Sequence, residues 1–194
     1  QCQLSKDCFI INSNGGISIM SELRTNRIIP RDGLPSGSSG GIIQVKSVTK
    51  TDPFDTLSTS YTDVTGLAVS ITPTRADSKI LVTYHTNAAM EDIAHVGALR
   101  LVRDSTPIFV GDAAGSRTRA SNFVKNLSGG AIETHNYSGQ ILDSPATTSS
   151  VTYKIQGLTL VAGRQLNVNK SYADTDGATQ ARTASSITVM EISG

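Results

Sequence analysis

The chain of 194 residues predicts an all-β fold, an antiparallel β-sandwich of jelly-roll type, on three observations. Ser and Thr together are roughly a quarter of the chain, there is no Trp, and aromatic residues are 5%. The apolar residues lean to Ile and Val, a composition that suits pleated, half-wetted surfaces better than helices. Second, short runs alternating apolar and polar residues recur at roughly 8–17-residue spacing, separated by Gly, Pro, Asp and Ser. Third, no segment carries a sustained i, i+3, i+4, i+7 stripe. Close spacing without crossover helices means antiparallel pairing. A double-layered jelly roll is the natural solution.

The elements follow in order. Residues 42–48 form the first expected strand. Over 63–71, Leu67, Val69 and Ile71 alternate with Ala68 and Ser70. Over 79–86, Ile80, Val82 and Tyr84 share a face, and over 96–103 Leu99 and Leu101 do so. Further strands are expected at 107–111, 117–124, 137–142, 151–160, 165–169 and 185–192, with at most one helical turn at 87–94. Pro73, residues 76–78, 104–105, 129–130, 144–145, 162–163 and 175–177 are the turn signals. Strands this rich in Thr, Ser and Ala bury little apolar area per residue, so a neighbouring copy would supply the missing burial.

Residues 1–41 read differently. Pro30, Pro35 and a density of Gly and Ser up to Gly41 predict an extended N-terminal arm or linker ahead of a head domain at 42–194. Leu23, Ile28, Ile29 and Leu34 are the apolar positions by which a partner would hold it. Residues 1–19 precede a start-like Met20-Ser21-Glu22-Leu23 and read as an upstream extension. They lack the basic region and long apolar core of a secretory signal.

Several functions drop out. No run of ~18 apolar residues is present for membrane insertion. A net charge of +1 gives no footprint for nucleic acid or an acidic membrane. Both cysteines, Cys2 and Cys8, lie ahead of the head domain and read as two thiols on the arm, which leaves no disulfide framework or zinc set for the head. His85, His95 and His135 have no metal spacing; they read as strand-end or loop residues.

Gly111-Asp112-Ala113-Ala114-Gly115-Ser116 lacks the Gly-Lys-Ser/Thr ending of a phosphate loop. Asp174-Thr175-Asp176-Gly177 lacks the acids a calcium loop needs at either side, and no cofactor is expected. Glu91, Asp92, Asp104, Asp112, Asp143, Asp174 and Asp176 are available acids, with no two placed together by sequence, so no catalytic residue is assigned. Asn126, Asn136 and Asn169 head glycan-acceptor tripeptides. What concentrates is a set of polar loop residues: Asp112, Arg117 and Arg119, then Tyr172, Asp174, Asp176 and Arg182. Such a mixture makes a surface for sugars or a protein partner, and equally a solvated rim or a contact between subunits.

At these residues the sequence resembles a family of tail-fibre-like virion proteins of tailed phages, particularly those of cyanobacteria. The matching phrases are Asp63-Val64-Thr65-Gly66-Leu67-Ala68-Val69-Ser70-Ile71-Thr72-Pro73, Ser78-Lys79-Ile80-Leu81-Val82, Arg100-Leu101-Val102-Arg103, residues 111–119, Leu142-Asp143-Ser144-Pro145 and Ile187-Thr188-Val189-Met190-Glu191-Ile192. The start at 20–26 and residues 33–37 are similar to the usual opening of such proteins. The chain departs from the family in residues 1–19 and in carrying no long fibre shaft. The resemblance implies a non-enzymatic structural component at the particle surface: a homotrimer of jelly rolls, similar to tumour-necrosis-factor-like heads. The arm would then dock on other virion proteins while the head binds host surface polysaccharide. A capsid decoration protein is the alternative with the same fold, and a carbohydrate-active enzyme on a jelly roll is a third.

Overall fold

The computed structural model describes strands at 10–11 and 17–18 and all of residues 41–127 and 131–194. The chain divides into two units, Gln1–Ser38 and Ser39–Gly194. In the first, β1 (Ile10–Ile11) pairs antiparallel with β2 (Ile17–Ser18). The arm positions Leu23, Ile28, Ile29 and Leu34, and Cys2 and Cys8, lie outside the described residues.

The second unit is all-β, as the alternation predicts. Its strands are β3 (Ile42–Lys50), β4 (Phe54–Thr56), β5 (Thr62–Ile71), β6 (Lys79–Met90), β7 (Val96–Arg103), β8 (Thr106–Ile108), β9 (Asn122–Lys125), β10 (His135–Asp143), β11 (Val151–Thr159), β12 (Leu166–Val168) and β13 (Ser185–Ile192). In the first sheet β6 pairs with β10 along one edge. On its other edge β13 takes Lys79–His85 and β12 takes Ala88–Met90, so these two strands lie end to end. β3 flanks β13 and β4 flanks β12 in the same way. In the second sheet β11 lies between β5 and β7, and β8 and β9 share the far edge of β7.

Counting end-to-end strands as one position leaves eight, four in each sheet. In chain order the first pairs with the eighth, the second with the seventh, the third with the sixth and the fourth with the fifth. That is one long hairpin rolled over itself, the jelly-roll arrangement.

The core lies between the sheets. Leu67, Val69, Ile71, Ile80, Val82, Leu99, Leu101, Tyr153, Ile155, Ile187 and Val189 are buried at alternate positions of their strands. Each such side chain contributes ~1.5–3 kcal/mol of transfer free energy. Polar clamps close the gaps. Asp143 on β10 accepts two bonds from Arg103 on β7 (2.9 and 2.7 Å) and one from the Tyr153 hydroxyl on β11 (2.7 Å), joining the two sheets at one end. Where β5 takes extra residues between Asp63 and Ala68, Gly66 supplies a φ of 79° and the buried Lys50 stem packs over it.

Three expectations are corrected. The strand expected to end at Thr86 runs on to Met90, replacing the helical turn, because Thr86, Ala88 and Met90 continue the buried alternation. His85 is therefore mid-strand rather than terminal. The strands expected at 107–111 and 117–124 shrink to β8 and β9, since Phe109 turns out of the extended path with a φ of 52°. Phe54–Thr56, unpredicted because Pro53 interrupts the run, is a short edge strand.

Candidate functional site

The sequence-predicted polar residues fall into two separate loops. Asp112, Arg117 and Arg119 lie between β8 and β9, in a loop lining an open depression of about 340 Å³ with Asn122 and Phe123. Asp174, Asp176 and Arg182 lie between β12 and β13, around a second depression of about 270 Å³. Tyr172, half-exposed, belongs to the same loop but does not line that depression.

The first loop is held at its neck. Ser121 donates its hydroxyl to the Phe109 carbonyl (2.7 Å) and its amide to Leu99 of β7 (2.9 Å), while Gly111 donates to Ala120. Tyr61 donates its hydroxyl to the Arg119 carbonyl (2.9 Å), and burial pushes this phenol's pKa up despite Arg100 stacked 3.9 Å above the ring. The Phe109 ring enters a notch in β10 that exists only because residue 139 is Gly. A Cβ there would come within 2.6 Å of Tyr84 and 2.7 Å of Phe109. Gly139→Ala is expected to displace both rings and lower stability by ~1–3 kcal/mol. Chemical denaturation checks this, and an unchanged midpoint would show that the rings yield freely.

Within this loop the ionic groups stay available. Arg119 spends only Nε, on the Gly111 carbonyl (2.6 Å). Arg117 and Asp112 have no side-chain partner among the described residues. Phe123 is 57% exposed, pointing away from the core that its neighbour Val124 enters.

The second loop is the opposite case. Arg182 grips Asp174 with two nitrogens (2.8 and 3.0 Å), and Lys170 pairs with Asp55 at 2.7 Å. Gln180 ties Ser171 and Thr175 together. The Ala173 amide bonds the Ala131 carbonyl ahead of β10, so the loop crosses the outer side of β6. Ala89 is fully buried there although its side chain faces away from the core cluster. Its charges are largely spent on each other.

The remaining acids are structural where a partner is described. Glu91 pairs with Arg164 (2.9 Å), Asp104 accepts the Thr152 amide and Asp92 accepts the Ala94 amide. His95 lies beside Asp92 and His135 beside Glu133. Among the described residues no three His, Cys, Asp or Glu side chains gather as a metal set.

Sequence reasoning missed two buried asparagines. Asn126 clasps both the amide and carbonyl of Met90 (2.9 and 2.8 Å). Asn169 bonds Lys50 and Asp52 carbonyls and the Ser185 hydroxyl. Both head glycan tripeptides, yet both carboxamides are buried and spent.

The outer faces of the two sheets differ. On the second, Arg100 donates to Gln156, Gln156 to Asp63, and Lys154 pairs with Asp63, a chain of bonds across β7, β11 and β5. Hydrogen bonds from Lys154 and Gln156 hold the Asp63 carboxyl below its usual range. On the first, register aligns Val45, Met190, Leu81 and Leu142 in one row across β3, β13, β6 and β10. The adjacent row is Ser47, Thr188, Thr83 and Gln140. Val45 is 50% and Leu142 56% exposed.

Compared with known proteins, the sequence matches no family model and no curated protein.

Proposed function

We propose that this chain is a non-enzymatic structural protein of a phage particle, a tail-fibre or receptor-binding head that assembles as a homotrimer. The observation that carries the reading is the apolar row Val45–Met190–Leu81–Leu142 on the outer sheet face, bordered on one side by the uncharged row Ser47–Thr188–Thr83–Gln140. A monomer gains nothing by exposing such a row, whereas identical copies with a net charge of only +1 approach without strong repulsion. The opposite face, already hydrogen-bonded within itself, suits solvent. The jelly roll then serves as a rigid support that displays loops outward, and the segment at 1–41 attaches it to other virion proteins. The phrases that resemble tail-fibre-like proteins include Asp143 and Glu191, whose hydrogen bonds clamp this architecture.

Two measurements test the reading. Light scattering on the purified chain is expected to give three copies, and Val45→Asp with Leu142→Asp to give one. Both positions are half-exposed, so folding survives, while two charges placed against a dry row raise the dissociation constant about a hundredfold or more. A monomeric parent chain sinks the assembly. Quantitative mass spectrometry of particles then separates the roles: a few dozen copies at the tail fit a fibre, hundreds on the shell fit a decoration protein, and absence ends the virion reading.

A further inference from the structure

We infer that the depression beside β9 is a binding site for an acidic saccharide, with Arg117 and Lys125 as its anion contacts and Phe123 as its stacking platform. This rests on the head being a binding module, and it deepens that reading by naming the loop and the ligand class. Four observations meet at this place. The 109–121 loop is tied at its neck by Ser121, Gly111 and Tyr61, and the Phe109 ring is seated in the Gly139 notch. Its conformation is therefore set before any ligand arrives, which removes much of the ordering cost of binding.

The charges are unspent. Arg117 and Lys125 are exposed without a side-chain partner among the described residues, and Arg119 uses only Nε. Between 109 and 125 there are three cations against one acid, Asp112, a local excess of +2. Phe123 and Lys125 are two apart on one strand and so share a face, and Phe123 also lines the depression with Arg117 and Asp112. An exposed ring beside guanidinium and ammonium groups matches a pyranose that carries a carboxylate or sulfate. The ring covers the apolar sugar face, the cations take the acid, and Asp112 accepts from hydroxyls. The Asp174–Arg182 loop offers no such match, because its ions neutralise one another.

Single-stranded nucleic acid also uses rings and cations, but it needs a series of stacking rings along a basic groove. Here Phe109, although 41% exposed, is seated against Gly139, which leaves Phe123 as the ring standing clear beside this loop, in a chain of net charge +1.

The test is calorimetric titration of the full chain with polygalacturonate, with dextran as the uncharged counterpart and sodium sulfate as the bare anion. Polygalacturonate is expected to bind, dextran and sulfate at least about tenfold more weakly, and Arg117→Glu to cost about tenfold or more. Phe123→Ala is expected to weaken binding several-fold; both residues are exposed, so the melting temperature stays unchanged. Equal affinity for dextran, an unaffected Arg117→Glu, or no binding overturns the site. Equal or tighter binding of oligothymidylate overturns the ligand class. The trimer and the particle count are read independently, so a failure here leaves them standing, and their failure leaves this titration to be judged on its own.

Discussion

Asn169→Ala is expected to lower the melting temperature by about 6–12 °C, from a loss of ~3 kcal/mol. Asn169 stands where the chain leaves the first sheet after β12, and Ser185 marks its return in β13. Its Nδ2 donates to the carbonyls of Lys50 (2.9 Å) and Asp52 (3.1 Å), at the break between β3 and β4. Its Oδ1 accepts from Ser185 Oγ (2.6 Å), and that hydroxyl accepts the Asn87 amide of β6 (3.0 Å). One carboxamide thereby joins three columns of the sheet at the neck of the 170–184 excursion. Removing it leaves the buried Lys50 carbonyl and Ser185 hydroxyl without their partner. Ala also resists the φ of 62° that Asn tolerates. Asn169→Gly relieves the backbone strain but not the lost bonds, so it should recover roughly a third of the loss. Thermal melts decide the matter; a drop of under ~2 °C would mean the neck closes without this clamp. Proteolysis within 170–184 should rise in parallel, since the excursion then opens without global unfolding.

The strands were legible because their inward residues sit at strict alternation with turn chemistry between them. Leu67, Val69 and Ile71, or Ile187 and Val189, announce both an element and its buried face. The pairing of first with eighth and second with seventh strand was not legible, because alternation says which way a side chain points and not which strand lies beside it. The apolar row had the same fate. Val45, Leu81, Leu142 and Met190 occupy the outward phase of four distant strands, Val45 and Leu142 exposed and the other two half-buried, and each alone is unremarked. They become a feature only when register sets them side by side. In the loops, composition found the right residue types but could not distinguish spent charges from available ones. Arg182 and Arg117 look alike in sequence, yet one is locked on Asp174 and the other faces solvent. Asn126 and Asn169 were read through the tripeptides they head, and a pattern of three residues carries no information on burial.

Acid is expected to loosen the head through Glu191, by ~3 kcal/mol between pH 6 and pH 2. This carboxylate is fully buried on β13. It accepts bonds from Gln44 Nε2 (2.6 Å), the Thr74 amide (2.7 Å) and the Thr74 hydroxyl (2.7 Å). Burial alone pushes its pKa up, but these donors outweigh burial and hold it at about 2, against 4.5 for an ordinary glutamate. The folded state therefore prefers the ion. Its contribution is complete above pH 4.5, declines as the unfolded chain becomes able to take a proton that the folded chain refuses, and vanishes once pH falls below about 2. Urea unfolding of the parent and of Glu191→Gln across this range isolates the group, because the other acids titrate alike in both and cancel in the difference. At pH 6 the parent should be the more stable by ~2–3 kcal/mol, and the two should converge near pH 2. A difference that does not change with pH would show that the hydrogen bonds stabilise the protonated acid as well as the ion. The consequence reaches the assembly face. Glu191 and Met190 are neighbours on β13, so the bonds that fix the 72–78 turn also fix the strand that places Met190 in the apolar row. Any dissociation of copies in acid should then follow the same pH window in the parent, whereas Glu191→Gln should show the weakened assembly already at pH 6 and little further change in acid.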